Sequence, residues 1–159
     1  MSYSIREARK SDMGQVLALV QELATFEKEP DAVEVRAEDL EKDGFGPDKR
    51  FHCFVAETEA GIVGMALVYP RYSSWKGPVI HLEDLIVTES MRGTGLGSAL
   101  FEAVIRYGYE LGVKRICWEV LDWNAPAINF YESKGARVLR DWDVVHLDES
   151  GIREFIKTL

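Results

Sequence analysis

Arg92-Gly93-Thr94-Gly95-Leu96-Gly97-Ser98 is the stretch on which the reading of this chain turns. It follows the apolar run His81-Leu82-Glu83-Asp84-Leu85-Ile86-Val87 and precedes a helix-patterned segment from Ser98 to Leu111. A strand that feeds a glycine-rich turn and then a helix start can wrap an anion. Successive backbone N–H groups converge with no side chain in the way, and the helix dipole adds partial positive charge. Glycines at 93, 95 and 97 also admit backbone angles that other residues resist. A P-loop needs Lys and Ser/Thr after the last glycine, but Gly97 is followed by Ser98-Ala99. A dinucleotide fingerprint needs G-x-G-x-x-G, whereas the spacing here is G-x-G-x-G. Taken alone, the loop is equally a glycine-rich turn before an ordinary helix.

The rest of the chain bounds the answer. Its 159 residues suit one domain, 1–159, with a hydrophobic core that needs no metal or disulfide. Cys53 and Cys117 make no C-x-x-C and no disulfide framework, which points to a reducing compartment. The N-terminus carries no apolar signal region and no apolar run approaches membrane-spanning length, so a cytoplasmic protein without a membrane partner is expected. A net charge of −8 argues against a nucleic-acid partner and suits a cationic one. Between Glu27 and Asp43 there are eight acids against Lys28, Arg36 and Lys42. Most of these acids suit a solvated loop and helix face, and a few lining a site would concentrate amines.

Apolar spacing sets the expected elements. A strand is expected over 4–8. Ser11 caps a helix with Met13, Val16, Leu17, Val20, Leu23 and Ala24 on one face, and a short helix follows over 37–42. Segments 51–57 and 62–69 read as a hairpin turning at Ala60-Gly61, and 79–87 as the next strand. The helix after the glycine loop stops at Gly112. A strand is expected over 115–121. Asn124 caps the helix after it, with Pro126 in the first turn, where a missing N–H costs nothing. Segments 138–147 and 152–159 are expected to be closing strands joined by a turn at Glu149-Ser150-Gly151. Antiparallel hairpins flanking a strand–helix–strand unit give an α/β (α+β) protein, a mixed, mostly antiparallel sheet of about seven strands with about four helices.

The pattern Arg92-Gly93-Thr94-Gly95-Leu96-Gly97 resembles the pyrophosphate loop of the GNAT superfamily of acetyl-CoA-dependent N-acetyltransferases. The stretch Trp123-Asn124-Ala125-Pro126-Ala127-Ile128-Asn129-Phe130-Tyr131, running on to Gly135-Ala136, is similar to the segment in which that superfamily holds the CoA arm. Nearer likeness lies in Leu23-Ala24-Thr25-Phe26-Glu27, in Asp43-Gly44-Phe45-Gly46 and in Leu82-Glu83-Asp84. These resemble the spermidine/spermine N-acetyltransferase (diamine acetyltransferase) subfamily over nearly the whole chain.

The resemblance implies the GNAT fold, acetyl-CoA as co-substrate, no metal, a small cationic amine as acceptor and a homodimer. It assigns CoA binding to Leu85, Ile86, Val87, to the loop Arg92, Gly93, Thr94, Gly95, Leu96, Gly97 and Ser98, and to Asn124, Pro126, Ala127 and Tyr131. Amine transfer needs a proton taken from the ammonium, a donor for the developing oxyanion and a proton for the departing thiolate. Glu83, acting through water, the Leu85 N–H and Tyr131 are expected in those three roles. Glu83 as a mere ammonium anchor is the alternative to Glu83 as base. Phe26, Glu27, Trp75, Glu83, Asp84, Trp118 and Glu119 are expected at the amine, where ring faces and carboxylates attract an ammonium group. Strand alternation sends Asp84 to the face opposite Glu83 unless a bulge intervenes, and the resemblance implies such a bulge, splaying the fourth strand from the fifth, which keeps Asp84 among the amine residues. His52, His81 and His146 show no metal-ligand spacing and receive no catalytic role.

The chain also departs from the vertebrate polyamine enzymes, with a shorter second hairpin and with Lys28 beside Glu27. Relatives in this group acetylate lysine-like amines such as thialysine, so the reaction is fixed more firmly than the acceptor. A protein or peptide acetyltransferase and a catalytically silent CoA-binding module are the other two readings. The second would need neither Glu83 nor Tyr131.

Overall fold

Apolar residues dominate segments 52–68 and 79–87, and a sheet covered on both faces is what such runs form. The structure, a computed structural model, describes residues 2–159. The chain divides into two compact units, Met1–Glu119 and Val120–Leu159.

The first unit is a five-stranded sheet of β1 (Ser4–Glu7), β2 (His52–Thr58), β3 (Gly61–Ser73), β4 (Gly77–Val87) and β5 (Ile116–Cys117), paired in that spatial order. The first three pairings are antiparallel, and β4 with β5 is parallel. Helices α1 (Met13–Phe26) and α2 (Ala37–Phe45) cover one face. Met13, Val16, Leu19 and Leu40 from these helices pack on Cys53, Val55, Met65, Leu67 and Ile86 from the sheet. Each such side chain, fully buried, contributes about 1.5–3 kcal/mol. Helix α3 (Leu96–Leu111) covers the other face with Leu96, Leu100, Phe101 and Val104, and its Tyr107 meets Phe54 edge-on at 5.7 Å. Arg6 of β1 ties the sheet edge to the turn before α1. It donates to Glu57 at 2.7 Å and to Asp12 at 2.8 Å.

In the second unit, α4 (Ala125–Ser133) starts where the Asn124 side chain accepts from the Ala127 N–H at 3.3 Å. Helix α5 (Glu149–Ile156) starts at Asp148, whose carboxylate accepts from the Gly151 N–H at 2.8 Å.

The expected class holds, but the strand count does not. The described residues form five strands and five α-helices, against about seven and four. Segment 138–147 alternates like a strand yet pairs with nothing, and an isolated strand leaves its backbone ladder unmade. Segment 152–159 is not a strand. Ile152, Phe155, Ile156 and Leu159 recur at i, i+3, i+4 and i+7, which is helical spacing, and the supposed turn is the first turn of α5. The strand expected over 115–121 shrinks to Ile116–Cys117. The hairpin of β3 and β4 instead extends beyond both expected ends, to Ser73 and Gly77.

Candidate active site

The site is built on an irregularity in β4. Leu67 pairs with Asp84 and Val68 pairs with Leu82, so Glu83 is an extra residue opposite nothing, a β-bulge. Strand β3 runs straight here, so Leu67 and Tyr69 share one face, the face that carries the core under α1. Their partners Asp84 and His81 share it too. Glu83 lies two residues beyond His81 and sets Oε2 at 3.5 Å from His81 Nε2. The bulge therefore cancels the alternation that would have sent Asp84 to the opposite face. Both carboxylates stand on the α1 side, which corrects the expectation from a regular strand.

Electrostatics follow from that crowding. Burial, then the charges of Glu83 and Glu27, push the Asp84 carboxyl up to about 6. Glu27, at the C-terminal end of α1, is raised by partial desolvation. Burial and the Glu83 charge raise the Tyr69 phenol, with a smaller push from Glu119. Glu83 and Glu27 thus both act on Asp84, and Glu119 acts on Tyr69 and His81 from beyond β5. An acidic face of this kind is complementary to an ammonium group.

Beside it, β4 has an open edge. Pairing to β5 stops at Ile80 with Ile116 and His81 with Cys117. From Leu82 to Val87 the edge turned toward β5 has no strand partner among the described residues. The side chain of Ile86 belongs to the core, so this residue can offer a ligand only its backbone.

The glycine loop follows directly. Gly93 (φ +74°) and Gly95 (φ +90°) are left-handed, and an added Cβ at either would meet no atom within 4 Å. That is a concave, unfilled backbone turn. Gly95 caps α3 without a side-chain hydrogen bond, so the first-turn N–H groups of α3 are not spent on a cap. Leu96 is buried and also offers only its backbone. Glu22 of α1 fixes the entry to the loop by accepting from Thr88 Oγ1 at 2.8 Å and from the Glu89 N–H at 2.9 Å. Arg92 folds back, donating from Nε to the Val87 carbonyl at 3.1 Å with its guanidinium 5.3 Å from the Phe26 ring centroid. Thr94 Oγ1 donates to the Met91 carbonyl at 2.6 Å. Arg92, Thr94 and Phe26 therefore shape the loop, and glycine backbone lines it.

Not every expected amine residue joins the acidic face. Trp75 stands at the tip of the β3–β4 hairpin, 79 % exposed, while the bulge lies five residues back along β3, about 17 Å away. Trp118 packs edge-on against Phe101 of α3 at 5.7 Å, which makes it part of the packing over the other face. Tyr131 is half-buried on α4 of the second unit. Conversely, His81 and Tyr69, which bear on Glu83, Arg71, which reaches His81, and Glu22 carried no expected role. The signal for His81 was its place two residues before Glu83 on the same strand.

A strand edge open for a ligand backbone, an anion-binding glycine loop at its end and carboxylates gathered beside it define an acyl-transfer site for a phosphate-bearing carrier. Comparison with known proteins gives the family. Residues 15–136 match the model of the acetyltransferase (GNAT) family. The chain is similar to thialysine N-epsilon-acetyltransferase of Bos taurus, at 37 % identity over 161 residues, 94 % of this chain and 95 % of that one. It is also similar to spermidine/spermine N(1)-acetyltransferase-like protein 1 of Homo sapiens, at 36 % identity over 91 % of this chain and 22 % of that longer one. An integron cassette protein from V. cholerae shares the fold at a TM-score of 0.80 and 22 % identity, over 99 % of both chains. The chain belongs to the GNAT family, and with it to the acetyl-CoA-dependent N-acetyltransferases.

Proposed function

We propose that this chain acetylates a primary amine of a small cationic molecule, of lysine-like or polyamine type, by direct attack of the amine on acetyl-CoA. The observation that carries the reading is the β4 bulge, which puts Glu83 and Asp84 on one face within reach of the Glu27 charge. Acetyl-CoA would supply an acetyl thioester. The glycine loop from Gly93 to Ser98 and the open backbone of Leu85, Ile86 and Val87 fit its diphosphate and its amide-bearing arm. Asn124, Pro126 and Ala127 are assigned to the same ligand by their likeness to the family's motif.

In this reading Glu27, Asp84 and Glu119 draw the ammonium group in by charge. Glu83, whose side chain is 52 % exposed, removes its proton through water and returns that proton to solvent. The Leu85 N–H donates to the carbonyl oxygen as negative charge grows there. Tyr131 holds a proton at Oη for the departing sulfur, since an ordinary tyrosine, with a pKa of about 10, stays protonated at neutral pH. We further infer a cytoplasmic homodimer. The exposed apolar side chains of Trp142, Val145, Phe155, Ile156 and Leu159 support the dimer, and light scattering at two concentrations tests it.

The test of function is thiol release from acetyl-CoA against putrescine, spermidine, spermine, lysine, thialysine and a lysine peptide, with wild type and Tyr131→Phe. Turnover confined to one small-amine class, with kcat lowered about tenfold or more by the substitution, is expected. Turnover on the peptide alone would overturn the small-amine reading. CoA binding without turnover on any amine would overturn the enzyme.

A further inference from the structure

His81 takes no part in the reaction so far described, yet it is 6 % exposed and touches Glu83 directly. Its surroundings fix where its proton can be. On one side of the ring, Arg71 Nη1 lies 3.4 Å from Nδ1. A guanidinium has five donors and no acceptor, and it keeps its charge throughout the working pH range. Arg71 Nη1 also lies 3.6 Å from Cys117 Sγ, but Nδ1 is nearer, and facing a pure donor it is the nitrogen suited to accept. Cys117 Sγ also lies 3.6 Å from Nδ1, but its S–H has another acceptor at the same distance, the Ile80 carbonyl. Tyr69 lies against the ring with centroids 5.1 Å apart.

Five charged or titratable groups bear on the imidazole: Glu83 from its own strand, Arg71 and Tyr69 from β3, Cys117 from β5 and Glu119 from beyond it. Burial lowers the imidazole pKa and Arg71 lowers it further, while Glu83 and Glu119 oppose them, with a net result below the ordinary histidine value. The ring is neutral at pH 7. With Nδ1 accepting, its single N–H sits on Nε2, pointed at the Glu83 carboxylate 3.5 Å away. A small rotation of the half-exposed Glu83 side chain closes that distance to a full hydrogen bond.

We propose that His81 is a positioning residue for Glu83: clamped by Arg71 as the Nε2–H tautomer, it holds the Glu83 carboxylate aimed at the amine. The inference rests on the reading of Glu83 given above. It also states what His81 does not do. Nε2 already carries its hydrogen and Nδ1 faces a guanidinium that can only donate, so the ring relays no proton. His81 is thus a fixed donor, and the proton that Glu83 collects leaves from Glu83 itself. The clamp comes from three strands, Arg71 on β3, His81 on β4 and Cys117 on β5, and it sits at the point where β4 and β5 part.

Two measurements test this, one of them independent of turnover. Nitrogen-15 NMR of the imidazole rings of the unliganded protein at pH 7, with the His81 signal identified by its loss in His81→Gln, is expected to show the neutral Nε2–H form. Arg71→Met should convert it to a mixture of tautomers. An Nδ1–H form or an imidazolium in the wild type overturns the proposal. In kinetics, loss of the donor in His81→Phe should lower kcat/KM for the amine about tenfold. CoA affinity should be unchanged, and His81→Gln, which keeps an N–H donor, should restore most of the loss. A His81→Phe enzyme with wild-type kcat/KM, with Glu83→Gln strongly impaired, refutes the positioning role and spares Glu83. A Glu83→Gln enzyme with normal turnover refutes the reading of Glu83, while the NMR still reports on the clamp.

Discussion

The bulge in β4 and the glycine loop at its end lie a few residues apart, yet they are made for opposite charges out of opposite materials. The bulge gathers side chains, Glu83 and Asp84, onto a face with Glu27. Its chemistry can be changed atom by atom with little effect on the chain path. The loop offers backbone N–H groups, and its side chains, Arg92 and Thr94, are turned back onto Val87 and Met91. It can be damaged only by changing the shape of the chain. Charge substitutions should therefore separate acceptor from carrier at the bulge, and backbone substitutions should do so at the loop.

The largest effect is expected from Glu83→Gln, which keeps the shape and removes the proposed base. Thiol release should show kcat/KM for the amine lower by about 10²- to 10³-fold with CoA binding unchanged. A loss of less than fivefold would leave Glu83 as an anchor or a bystander. Next comes Gly95→Ala. No atom opposes its Cβ, so its cost is the left-handed φ alone, about 1–3 kcal/mol of backbone strain. Titration calorimetry should find CoA binding about ten- to a hundredfold weaker. Binding of the amine to the acidic face should stay as it was, and equal weakening of both ligands would erase the contrast.

The smallest effect is thermal. Asp84 has its folded-state pKa near 6, above the ordinary carboxylate value of 3.8. The folded state therefore loses stability as pH rises from about 4 through 6, and carries the full cost above that. Asp84→Asn should melt higher than wild type at pH 8, by roughly 2 to 5 °C, and equal to it near pH 4. A difference that persists at pH 4 would mean that packing, not charge, is responsible.

The loop was legible because its requirement is local. Positive φ at 93 and 95 demands glycine, and the spacing of glycines can be read from letters. The Asn124 cap and Pro126 were legible for the same reason. The bulge was legible only through the family resemblance, because Leu82-Glu83-Asp84-Leu85 by itself reads equally well as a regular strand. What breaks the alternation is the register against β3, set by the pairing of Leu67 with Asp84, which no local pattern reveals. The role open to His81 was hidden likewise, since its partners Arg71 and Cys117 come from two other strands. The second unit shows the reverse failure. Alternation over 138–147 looked sufficient for a strand, but a strand exists only when another one completes its hydrogen bonds. Over 152–159 the helical spacing was present and the cap at Asp148 preceded it, so there the wrong period was chosen.

The unpaired rim of β4 has a bearing on solubility as well as on catalysis. A free strand edge is a template on which another molecule's strand can add, and such edges start aggregation. Here the exposed run is only six residues, Leu82 to Val87. It opens with a bulge, which increases twist and interrupts register, and that bulge carries two acids that repel a second copy of the same edge. The kink that assembles the carboxylates also makes this rim a poor surface for strand-to-strand association between copies of the chain.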